Sequence, residues 1–137
     1  MPLNRPYIAG IGTDLLHLAR IQKAYDKFGL KFATRVLGLD ELEVFQNRFE
    51  RDQKRGIRYI ATRFAAKEAF AKAIGLGIHS PMSWSRIQIL NAKSGKTEII
   101  LNGPLKYWYE ERFGHGHVSL TDESDIVMAF VVLERKD

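Results

Sequence analysis

At 137 residues the chain has the length of a single domain, residues 1–137, which excludes a separate cofactor-binding unit. Apolar residues make up 45% and charged residues 27%, globular proportions that exclude a disordered or collagen-like chain. The 21 Lys and Arg against 16 Asp and Glu leave a net charge of +5 that favours an anionic partner, and with no cysteine there is no disulfide, thiol nucleophile or Cys-based zinc site.

Met1–Gly10 lacks the apolar core of a secretory signal and the Arg/Ser-rich amphipathicity of a transit peptide. The longest apolar run, Ile126–Leu133, is too short to span a bilayer, so a protein of the cytoplasm, or alternatively of an organelle matrix, with no membrane association is expected. Tyr7–Ile11 is predicted as a short strand turned by Gly10 and Gly12, with Thr13 and Asp14 capping a helix that begins near Asp14. Leu15, Leu18, Ile21, Tyr25 and Phe28 give that helix an apolar face, and Arg20, Lys23 and Lys27 a basic stripe, up to a stop at Gly29. Asp40 then caps a helix to Phe49, the charged segment Glu50–Arg58 leads onward, and Tyr59–Ile74, rich in Ala, Lys and Glu, carries the strongest helical pattern. It ends at Gly75 and Gly77, before Pro81.

The second half changes period. Ser85–Leu90 and Thr97–Leu101 are predicted as a hairpin turning at Ser94-Gly95, Asn102 caps a short helix through Phe113, and His117–Leu120 and Ile126–Leu133 are the last strands. Helices and strands are partly segregated, which predicts an α+β fold with helices packed on a mainly antiparallel sheet.

Two segments carry candidate chemistry. In Gly10-Ile-Gly12-Thr-Asp14 the plainer reading of Asp14 is a helix cap, and the missing third glycine argues against a dinucleotide fingerprint. In Arg63-Phe-Ala-Ala-Lys67-Glu68-Ala-Phe-Ala-Lys72, the pairs Arg63/Lys67 and Glu68/Lys72 are four apart, the spacing of ordinary surface ion pairs. The surrounding alanines Ala65, Ala66, Ala69, Ala71 and Ala73 allow a ligand or a neighbouring helix to approach closely. Asp14 and Glu68 together suit a shared Mg²⁺ with positions left for phosphate oxygens, and nearby Lys and Arg suit the same phosphates. The combination points to metal-assisted chemistry on a phosphorylated substrate.

These two segments, with Gly75-x-Gly77 and His117-Val-Ser119-Leu before the final strand, resemble the holo-acyl-carrier-protein synthase family of short 4′-phosphopantetheinyl transferases. The resemblance runs in order over essentially the whole chain. It implies the 4′-phosphopantetheinyl transferase-like fold, assembled as a homotrimer with active sites between subunits. It also implies transfer of the 4′-phosphopantetheine of coenzyme A to a serine of apo acyl carrier protein, in fatty acid biosynthesis, with release of adenosine 3′,5′-bisphosphate. By this resemblance Asp14 and Glu68 bind Mg²⁺ with the diphosphate, and Lys72 stabilises the breaking phosphoanhydride. The serine's proton goes to Glu68 or to a metal-bound water, a choice the residues leave open. Lys54, Arg55 and Arg63 match positions that bind the 3′-phosphate of coenzyme A, and Gly75 and Gly77 the loop along which the nucleotide lies. Arg20 matches a carrier-docking arginine on the first helix, and Lys23 and Lys27 extend its face toward a strongly acidic carrier.

One position departs from the pattern. Many family members read Val-Ser-x-x-His before the last strand; this chain reads Val118-Ser119-Leu120-Thr121-Asp122. Asp122 is expected to be a turn residue, with a bound cation or basic side chain as the alternative. Two readings compete with the transferase: a basic nucleic-acid-binding module, which needs no Glu68, and a protein that holds coenzyme A without turning it over. The transferase reading expects no nucleic-acid partner.

Overall fold

The computed structural model describes residues 6–137, so the leaderless reading of Met1–Gly10 falls partly outside it. In chain order the elements are β1 (Ile8–His17), α1 (Leu18–Phe28), α2 (Leu30–Val36), α3 (Leu39–Arg51), α4 (Gln53–Ala73), β2 (Ile87–Asn91), β3 (Thr97–Leu101), α5 (Gly103–Glu110), β4 (Phe113–Glu123) and β5 (Ile126–Arg135). A single 3-10 turn, Trp84–Arg86, precedes β2. The strands form two antiparallel sheets, a three-stranded one in the order β1-β5-β4 and the β2-β3 hairpin. This is the expected α+β architecture, with the antiparallel pairing divided between two sheets. No described helix is long and apolar enough to cross a membrane.

The largest departure from the sequence reading is at the start. Asp14 does not cap a helix; it pairs with Ala129 in the middle of β1, which runs on to His17. Gly10 and Gly12 make no turn there: a Cβ at either would collide with the carbonyl oxygen of Ala73 or Ala69, so the glycines let β1 lie directly on the α4 backbone. Of the buried alanines of α4, Ala69 and Ala73 lie directly under this strand. Leu15 accordingly leaves the predicted helical face and projects from the outer face of the sheet.

Two helices take their N-terminal partners from distant residues. Asp40 is not the cap of α3; that position is Gly38, which has no side chain, and Gln88 Oε1 from β2 accepts hydrogen bonds from the Asp40 N–H at 2.9 Å and the Glu41 N–H at 3.2 Å. Likewise His17 gives α1 no side-chain cap, and the Leu18 N–H donates to the Asp125 carbonyl at 2.8 Å. The sequence reading has no α2, and it starts the long helix six residues late, because Asp52 caps α4 through the Lys54 N–H. Helix α5 stops at Glu110, and β4 already begins at Phe113.

The core lies between α4 and the larger sheet. Ile60, Phe70, Val127, Val131 and Leu133 are fully buried there, joined by Ile87 and Ile89 from β2. The other face of the sheet is apolar yet open: Ile11 and Leu15 on β1 adjoin Val132 and Met128 on β5, and Phe130 stands between them.

Candidate active site

Helix α4 carries Phe64, Glu68 and Lys72 at four-residue spacing, which stacks them on one face. Because β1 is pinned against this helix by Gly12, Asp14 arrives beside that face. Lys72 Nζ donates to the Thr13 carbonyl at 2.8 Å and lies 3.3 Å from Asp14 Oδ1, so one ammonium ties the helix to the strand. The first turn of α1 adds Arg20, whose guanidinium sits 5.3 Å from the centre of the Phe64 ring.

The Glu68 carboxyl is raised above the ordinary carboxylate value, first by burial and next by the negative charge of Asp14, against the opposing charges of Lys72 and Arg20. Among the described residues Glu68 has no hydrogen-bonding or ion-pairing partner within the chain. Two carboxylates are thus held close enough to repel, one of them unsatisfied. They are hard oxygen donors, and no third His, Cys, Asp or Glu among the described residues joins them in a group able to hold a metal by itself. A divalent cation here would take its other ligands from water and substrate.

Asp14, Arg20, Glu68 and Lys72 therefore meet within one chain. Lys23 and Lys27 continue the exposed face of α1 beyond Arg20, Lys27 resting 5.2 Å from the centre of the Phe28 ring. Gly75 and Gly77 end α4 just past Lys72 with φ of 84° and 65°, values at which a side chain would be strained, and their N–H groups close the helix on the Lys72 and Ala71 carbonyls.

The other basic residues gather elsewhere. Lys54 and Arg55 lie in the first turn of α4, and Arg55 shares a surface pocket with Arg48 and Arg51 from the last turn of α3. The adjoining pocket takes in Arg48, Arg63, Asn47 and Asn91. Arg63 is buried on its floor. Its guanidinium donates to the Ile89 carbonyl, Asn91 Oδ1 and Thr62 Oγ1, and lies 4.1 Å from the centre of the Tyr59 ring. Arg55 precedes Glu68 by 13 positions, about 20 Å along a helix axis at 1.5 Å per residue. The carboxylates and the arginine pocket consequently occupy different parts of α4. Sequence reasoning missed Arg48, whose only signal was its place one turn before Arg51 and Asp52.

Lys67 belongs to neither group. It is fully buried, and its ammonium donates to Glu41 Oε1 and the Val36 carbonyl at 2.6 Å and to the Trp84 carbonyl at 3.1 Å. Glu41 also accepts from the N–H groups of Gly38 and Ile89. Asp122 is not a turn residue; it lies in β4 opposite Val127 and accepts from Arg58 at 3.1 Å, the alternative foreseen for it. A groove of about 640 Å³ between β3, α5 and β4 shares no lining residue with the carboxylate cluster.

Residues 10–131 match the model of the 4′-phosphopantetheinyl transferase superfamily. The holo-[acyl-carrier-protein] synthase of Bordetella pertussis is 53% identical over 135 residues, covering 98% of this chain and 88% of that protein. Among solved structures, the holo-[acyl-carrier-protein] synthase of Neisseria meningitidis superposes with a TM-score of 0.86 at 43% identity, over 93% of this chain and 99% of that one. The enzyme of Bacillus anthracis in complex with CoA (3′,5′-ADP) does so with a TM-score of 0.78 at 34% identity, over 94% and 98%. Matches of this depth along nearly the whole of both partners place the chain in the 4′-phosphopantetheinyl transferase superfamily, among the holo-[acyl-carrier-protein] synthases.

Proposed function

We propose that this protein transfers the 4′-phosphopantetheine of coenzyme A to a serine hydroxyl of apo acyl carrier protein, releasing adenosine 3′,5′-bisphosphate, as a cytoplasmic enzyme. The observation that carries the reading is the unsatisfied Glu68 carboxylate beside Asp14 and Lys72, in a chain so close to known synthases.

Asp14 and Glu68 are the ligands for Mg²⁺, which fits because a divalent charge relieves the repulsion between them. When bound, the ion neutralises the coenzyme A diphosphate as charge develops on it. The serine oxygen forms a bond to the pantetheine-side phosphorus, and the bond from that phosphorus to the bridging oxygen breaks. Lys72 holds its ammonium against Asp14 and stabilises the departing phosphate. Glu68 is first choice to take the serine proton, as the carboxylate that no other group of the described chain pairs, beside the face that bears Arg20.

Arg48 and Arg55, with Lys54, form the anion site for the 3′-phosphate, over a floor braced by Arg63. The Arg55 end of that pocket is about 20 Å along α4 from Glu68, which suits a site that a neighbouring copy completes. Gly75 and Gly77 pass the ligand close to the backbone beside Lys72. The open apolar face of Ile11, Leu15, Met128 and Phe130 suits burial between copies in a homotrimer. The acidic carrier docks on Arg20, Lys23 and Lys27, which brings its serine next to Glu68 because Arg20 stands over Phe64 on the same face.

Intact-mass spectrometry of an apo acyl carrier protein incubated with this protein, coenzyme A and Mg²⁺ tests the reading. One added phosphopantetheine, lost with chelator and with Glu68→Gln, is expected. No addition to any of several apo carriers by a confirmed trimer would overturn it.

A further inference from the structure

Helix α1 carries the proposed docking arginine, yet nothing in its own sequence holds its N-terminus. His17 offers no capping bond, and the first turn contains no acidic residue. The missing partner comes from the tip of the β4–β5 hairpin, whose Asp125 carbonyl accepts from the Leu18 N–H at 2.8 Å. Arg58 of α4 holds the tip from the other side. One guanidinium nitrogen donates to Asp122 Oδ2 at 3.1 Å and the other to the Ser124 carbonyl at 2.8 Å, with the Glu123 carbonyl at 3.5 Å. Asp122, the position that departs from the Val-Ser-x-x-His pattern, thus has a partner on the helix that also bears Glu68.

We propose that the β4–β5 tip is an external cap for α1, and that Arg58 and Asp122 are positioning residues that orient Arg20 for the carrier. This rests on α1 being the docking helix. An exposed ion pair alone adds little stability. The function of this pair is directional, because a forked guanidinium gripping a carboxylate and a carbonyl of the same turn fixes that turn's orientation against α4. Loosening it frees the Asp125 carbonyl from α1 and leaves Asp14, Glu68 and Lys72 in place.

The test compares Arg58→Ala, Asp122→Asn and Arg20→Glu in the full-length protein, with amide hydrogen exchange of the first turn of α1 and steady-state kinetics for both substrates. Arg58→Ala is expected to speed exchange at Leu18 and raise the KM for the carrier, each by about fivefold, the factor for loss of a typical helix cap. Its kcat and its KM for coenzyme A stay unchanged. Asp122→Asn, which keeps an acceptor for Arg58, remains near wild type. Unchanged exchange at Leu18 in Arg58→Ala overturns the capping role, and a rise in the KM for coenzyme A instead of the carrier overturns the positioning role. Arg20→Glu separates the two ideas: an unchanged carrier KM there refutes α1 as the docking helix, and this inference with it, whereas a raised KM beside a wild-type Arg58→Ala refutes only the inference.

Discussion

Lys67 and Glu68 are adjacent in α4 and have opposite circumstances. Lys67 is buried and spends its ammonium on three acceptors, two of them carbonyls of different segments, while its partner Glu41 is filled by two backbone N–H groups besides. Burial lowers the proton affinity of Lys67, and the charge and hydrogen bond of Glu41 offset only part of that. Glu68, one residue on and turned toward β1, has no such partner among the described residues and lies near another carboxylate. The buried pair joins α2, α3, α4 and β2 into one body. The half-exposed carboxylate is left unsatisfied on that rigid support, and an unsatisfied group is one that still has affinity for a ligand.

Breaking the buried pair is the harshest test of this contrast. Lys67→Ala should destabilise the fold by about 3–5 kcal/mol, because Glu41 is left buried and charged, as read by urea unfolding. Glu68→Gln should unfold at nearly the wild-type urea concentration yet lose roughly 10²-fold or more in kcat, the usual scale of an acid–base residue. An active Glu68→Gln protein would put the chemistry elsewhere. Mixing sharpens the contrast further: Glu68→Gln and Arg55→Glu chains, each inactive alone, should recover activity when refolded together, since each can supply what the other lacks. No recovery would mean that a single chain furnishes both ends of the nucleotide site.

The smallest effect concerns Tyr59, whose buried hydroxyl has no hydrogen-bond partner among the described residues. Burial pushes this phenol up from 10.0 to about 12. The unfolded chain therefore releases the proton first, so this contribution to stability is complete below pH 10 and is lost as pH rises toward 12. Tyr59→Phe should be neutral to about 1 kcal/mol more stable near pH 7 and should lose less stability across that alkaline window, seen as a later unfolding midpoint. Tyr109, pushed up to about 12 as well, retains part of the loss.

Legibility followed the range of the interactions. Glu68 and Lys72 were readable as a pair because four-residue spacing is a local property of a helix, and the β2–β3 hairpin because its turn is local to residues 92–96. Asp14 was readable as a candidate but placed on the wrong kind of element. Gly10 and Gly12 have the same composition whether they turn a chain or admit a helix against a strand, and only the Ala69 and Ala73 carbonyls distinguish the two. Helix α3 was displaced by one cap because Gln88, 47 and 48 positions away from the N–H groups it satisfies, does what Asp40 was expected to do. Asp122 and Arg58 are 64 positions apart, and no local pattern links them.

From the sequence alone came the α+β class, the long alanine-rich helix, the basic face of α1, and the residues Asp14, Glu68 and Lys72, because periodicity, charge and residue chemistry reside in short stretches of chain. The tertiary structure alone decided that Asp14 is a strand residue beside Glu68, that Arg48, Arg51 and Arg55 lie apart from both, and that Lys67 is fully paired while Glu68 has no partner among the described residues. Those outcomes depend on which polar groups meet a partner when the elements pack, and the partners come from residues tens of positions away.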